Sequence, residues 1–156
     1  MPRTVTGLRR KARIAVLQTL YEVDCSVHRV DEVLERNIRE GALPGEVADF
    51  ARGLVTGVIQ NQQAIDDQIR YFAPLFPLEQ LTAIDRNILR LAIYEVSFDT
   101  QVPLKAAVNE AVEIAKSFGG DGSSKFINGV LGSVLASGVK RDEDPLKEIH
   151  PGEPEK

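Results

Sequence analysis

Five cations stand among the first thirteen residues with no acid between them: Arg3, Arg9, Arg10, Lys11 and Arg13. Basic groups at that density suit a polyanion, since each can neutralise a phosphate and release its counterions. The whole chain carries 19 basic and 23 acidic residues, so the run is a basic end on an otherwise acidic protein. It also falls where a helix begins, and the backbone dipole disfavours cations there. Helix stability explains the run poorly; nucleic-acid binding explains it better.

Other reactive groups read more simply as structure. Glu95 lies on the apolar side of a helix, near Ile84 and Ile88. A buried carboxylate needs partners, and bonding to a neighbouring helix end is a simpler role for it than catalysis. Glu110 and Glu113 fall one turn apart, as an acid/base pair could, but read as ordinary surface carboxylates on an amphipathic helix. Gly119-Gly-Asp-Gly-Ser-Ser124 precedes a helix and could present backbone N–H groups to a phosphate. No Gly-Lys-Ser/Thr follows it and no strand precedes it, so it reads as a helix-to-helix turn, with Lys125 directly after it. His28 and His150 are far apart, and neither HExxH nor CxxC spacing occurs, so no metal or cofactor is expected. With no nucleophile–base set, no enzymatic activity is expected. The single cysteine, Cys25, excludes an internal disulfide and suggests a reducing compartment. No apolar run reaches the roughly 20 residues of a membrane span, and no signal-peptide core follows the basic start. The expected setting is cytoplasmic, without a membrane partner.

These groups must be positioned by helices, because apolar spacing of three and four residues dominates the chain. Leu8, Ala12, Val16, Leu20 and Val23 form one stripe of a first helix over residues 8–25, and Ile14, Leu17 and Tyr21 form another. The arginines point in several directions around its first turns, as for an end that projects beyond the core. Asp31 caps a short helix ended by Gly41, Pro44 opens a third, and a fourth covers about 61–72. Gly53 and Gly57 suit close helix packing. Phe72-Ala-Pro-Leu-Phe-Pro77 breaks the pattern and marks a subdomain seam near 72–81. Thr82 with Asp85 resembles a capping box at the start of a central helix through Phe98. Arg86 and Arg90 share a narrow polar stripe on that helix. A sixth helix runs from Pro103 to Phe118 and ends at Gly119-Gly120 in left-handed geometry. Ser123 or Ser124 caps a seventh, on which Phe126 is either a stacking ring or packs inward with Val130. The fold expected over 1–137 is all-α, with a disordered charged tail at 138–156.

Four runs carry a family resemblance. Leu81-Thr-Ala-Ile-Asp-Arg-Asn-Ile-Leu-Arg-Leu-Ala-Ile-Tyr-Glu95 strongly resembles the central helix of the NusB family of transcription antitermination factors. Val102-Pro-Leu-Lys-Ala-Ala-Val-Asn-Glu-Ala-Val-Glu-Ile-Ala-Lys-Ser-Phe-Gly119 and Lys125-Phe-Ile-Asn-Gly-Val-Leu131 continue the pattern. Arg9-Arg-Lys-Ala-Arg13 through Leu20-Tyr21 looks like the family's first helix. The resemblance spans about residues 8–136. It implies about seven helices in two packed small bundles and a non-catalytic role. That role is binding boxA, a single-stranded element of nascent ribosomal RNA transcripts, together with NusE, a ribosomal small-subunit protein. RNA polymerase and other Nus factors would be engaged indirectly. By position, Arg9, Arg10, Lys11 and Arg13 match the family's arginine-rich RNA contact. Arg90, Lys125 and Phe126 match positions on or near its RNA-facing surface, and Tyr21 and Asp85 match positions at the NusE interface. Gly122 departs from relatives that carry an acid there, with Asp121 one place earlier. A look-alike fuses such a domain to an RNA methyltransferase, for whose cofactor-binding domain 156 residues leave no room. The rival reading is a helical protein–protein adaptor without direct RNA recognition. Monomer and homodimer stay open.

Overall fold

The computed structural model describes residues 5–99 and 102–138. Among them seven α-helices follow one another: α1 (Val5–Cys25), α2 (Val30–Glu40), α3 (Gly45–Gln60), α4 (Gln62–Phe72), α5 (Ala83–Ser97), α6 (Leu104–Phe118) and α7 (Ser123–Ala136), with one 3₁₀ turn at Leu78–Gln80. Among the described residues there is no strand. Arg3 and nearly all of the tail expected at 138–156 lie outside the described residues.

Helix α1 packs against α2, α3 and α5; α5 in turn packs against α3, α4, α6 and α7. That central position follows from composition, because α5 buries Ile88, Leu89, Leu91, Ala92, Ile93 and Val96 around most of its circumference. A continuous core joins them to Leu17, Leu54, Ile65, Ile69, Ile127 and Leu131. Burying each such side chain contributes about 1.5–3 kcal/mol.

Helix ends follow local chemistry. Thr82 Oγ1 accepts the Asp85 N–H at 3.1 Å, so the expected cap of α5 forms. Gly57 permits the close approach expected of it: a Cβ there would overlap the Tyr94 ring. Gly53 does not share that role, since a Cβ there meets open space. The left-handed glycine before α7 is Gly122, with φ 83°, rather than Gly119 or Gly120. Ser123 does not cap the helix. Its Oγ instead accepts the Gly120 N–H at 3.0 Å and closes the turn.

Candidate nucleic-acid interface

Each cation of the basic run meets a different neighbour. Arg13 is 3% exposed. Its Nε and Nη2 donate to Glu95 Oε1 and Oε2 at 2.9 and 2.8 Å. Burial pushes the Glu95 carboxyl above its ordinary value, against the pull of Arg13. Arg10 makes the same bidentate contact with Glu110, both bonds at 2.8 Å, but its side chain stays 43% exposed. Hydrogen bonding from Arg10 holds the Glu110 carboxyl below its usual value, and Glu110 raises Arg10 in return. Arg9 lies 4.7 Å over the Phe50 ring and Arg13 5.3 Å from it, within cation–π range. Lys11 is half-buried at a groove with Gln18, Asn37 and Glu40, and makes no ion pair among the described residues.

The run is therefore not uniformly exposed. Arg9, Arg10 and Lys11 reach the surface, whereas Arg13 joins α1 to the far end of α5. Glu95 thus has a structural partner, but it is the Arg13 side chain in the third turn of α1 rather than a helix end. Glu110 corrects the reading of an ordinary surface carboxylate: it is buried against Arg10. Glu113 does lie at the surface and pairs with Lys116 at 3.0 Å.

Arg90 is likewise not presented to solvent. It is 7% exposed, and its Nε and Nη2 donate to Asp66 of α4 at 2.8 and 3.1 Å. Arg86 donates to Asp24 of α1 and to the carbonyl oxygens of Leu78 and Leu81. The polar stripe of α5 thus stitches α1, α4 and the 3₁₀ turn together. A buried guanidinium needs such acids, and they come from other helices.

Lys125 is exposed and makes no ion pair among the described residues. Phe126 is half-buried and meets Phe76 edge-on, with centroids 5.1 Å apart, so it packs and also shows a rim. Tyr21 is exposed in a groove with Leu17, Ile84 and Phe118. Asp85 lines a neighbouring hollow with Asp121 and Phe126, and its Oδ1 is buried without a hydrogen-bond partner among the described residues. Gly122 cannot take an acid without strain, because its φ is positive; Asp121 is exposed beside it. Ten residues of α5 separate Asp85 from Glu95, about 15 Å of helix. The basic run thus sits at one end of α5, and Tyr21, Asp85, Lys125 and Phe126 gather at the other.

The model of the NusB family matches residues 10–136, which include all but Arg9 of these groups. The chain belongs to the NusB family. A transcription antitermination protein NusB from Dehalococcoides mccartyi (strain 195) is 48% identical over 143 residues, covering 90% of this chain and all of the relative. One from Chloroflexus aggregans is 44% identical over 129 residues, covering 81% and 86%. The solved structure of T. maritima NusB agrees with a TM-score of 0.80 at 31% identity, over 90% of this chain and 96% of that one. A NusB chain crystallised with NusE and double-stranded RNA has a TM-score of 0.77 at 23% identity, over 84% and 98%. At that identity the likeness speaks for the NusB fold alone.

Sequence reasoning missed Phe50, which two arginines of this NusB-family chain face, and Glu110 as the partner of Arg10. Neither carries a local signal, since both become neighbours of α1 only through packing. Among the described residues no group of three His, Cys, Asp or Glu is placed to hold a metal, and no helix is long and apolar enough to cross a membrane.

Proposed function

We propose that this chain is a cytoplasmic, non-catalytic antitermination factor that binds single-stranded boxA RNA of nascent ribosomal transcripts with a NusE-like ribosomal protein. RNA polymerase and other Nus factors are engaged through that complex. The division within the basic run carries the reading. Arg9, Arg10 and Lys11 supply the phosphate grip, and Arg13 anchors the helix that presents them. Arg10 has two bidentate edges. Glu110 takes the Nε–Nη2 edge; Nη1 makes no hydrogen bond among the described residues, and its edge can take a phosphate. Lys125 and Phe126 extend the RNA contact at the other end of α5, and Arg90 supports that helix from within. Tyr21 and Asp85 face the ribosomal protein. The unpartnered Asp85 oxygen supports this assignment, because a buried acceptor without a donor costs stability that a partner can recover.

The test is RNA binding by the chain alone against its mixture with the NusE-like protein. The mixture is expected to bind short boxA RNA more tightly than either component. Binding to the protein with no gain in RNA affinity would favour the adaptor reading.

A further inference from the structure

Arg9 differs from its neighbouring arginines in what holds it. Arg10 and Arg13 are each gripped by a glutamate. Arg9 makes no ion pair among the described residues and lies 4.7 Å over the Phe50 ring. The two belong to the second turns of α1 and α3, so the contact exists only because those helix starts are packed together. Phe50 is half-buried and packs against the core, which fixes where its ring stands. Asp49, the acid beside it in sequence, accepts from Arg52 at 2.7 Å.

A carboxylate and a ring hold a guanidinium with different consequences. A carboxylate occupies N–H donors and offsets the charge that a phosphate must meet. A ring attracts the cation through its quadrupole and leaves the donors and the charge to a phosphate. A rotamer-rich side chain held in advance also loses less freedom when it binds. We propose that Phe50 is a positioning residue for RNA, holding the Arg9 guanidinium ready for a phosphate; this rests on the RNA-binding reading above. Arg13 also stands 5.3 Å from the ring centroid, but its two bonds to Glu95 place it without the ring. Arg9 has no such second anchor among the described residues.

The test measures boxA RNA affinity, with the NusE-like protein present, for Phe50→Leu, Phe50→Met, Phe50→Tyr and Arg9→Ala, and for Arg9→Ala combined with Phe50→Leu or Phe50→Met. Leucine and methionine keep an apolar side chain without a π face, tyrosine keeps the face, and circular dichroism selects the variants that fold. Phe50→Leu and Phe50→Met are expected to bind about two- to fivefold more weakly than wild type, and Phe50→Tyr about as tightly. Once Arg9 is replaced, losing the ring is expected to cost no further affinity. A Phe50 that only packs would lower the melting temperature of Phe50→Leu and leave RNA affinity unchanged, which would overturn the assignment. So would a Phe50→Tyr as weak as Phe50→Leu, or an undiminished loss in the Arg9→Ala background. Each of those outcomes leaves RNA binding by the basic run intact. A wild type that binds no boxA RNA even with the NusE-like protein would end both readings.

Discussion

Arg10 and Arg13 are three residues apart on one helix and make the same fork-to-fork contact with a glutamate, yet their surroundings divide them. Arg13 and Glu95 are both shielded from water, so their contact is an internal joint. Breaking such a joint strands a charge, at a cost of about 3–5 kcal/mol. Arg10 and Glu110 are partly wetted, which keeps the guanidinium accessible and its pairing responsive to pH. Glu110 has a folded-state pKa below its ordinary 4.5. Between those two values the unfolded chain binds more protons, so stability rises with pH there and is lost as pH falls through the folded value. Lowering pH from about 5 to about 3 is therefore expected to reduce the melting temperature more in wild type than in Glu110→Gln. Equal losses would mean that the Arg10–Glu110 pair does not stabilise the fold.

At the scale of elements, α3 offers a controlled comparison. Gly53 and Gly57 are four residues apart in it, and of these two only Gly57 faces another helix. Gly57→Ala drives a methyl group into Tyr94 and is expected to cost about 1–3 kcal/mol. Gly53→Ala is expected to leave stability unchanged or raise it by up to about 1 kcal/mol. Chemical denaturation of the two variants checks this, and similar destabilisation would contradict the α3–α5 packing. The same contrast explains what was legible in the sequence. Apolar stripes, the Thr82 cap and the proline break are local, so they announced the helices. The fates of Arg13 and Arg90 are not local: their acids lie 82 and 24 positions away. A guanidinium bound for a buried carboxylate looks the same in sequence as one bound for a phosphate.

Across the whole molecule, α5 acts as the frame. Glu95 secures the basic run at its C-terminal end, while Asp85 and the start of α7 mark the opposite end about 15 Å away. A short RNA strand and a protein partner can thus be held by one rigid element. The central claim is that the grip and the support within the basic run are separable. It is tested most directly by measuring boxA RNA affinity against salt, together with melting temperature, for two variants. The triple variant Arg9→Ala, Arg10→Ala, Lys11→Ala is expected to melt only modestly below wild type, by what the partly wetted Arg10–Glu110 pair contributes. Its slope of log affinity against log salt is expected to flatten by about 2, as three phosphate contacts on a single strand disappear. Arg13→Ala is expected instead to melt well below wild type. A triple variant with unchanged RNA affinity and salt slope would contradict the account.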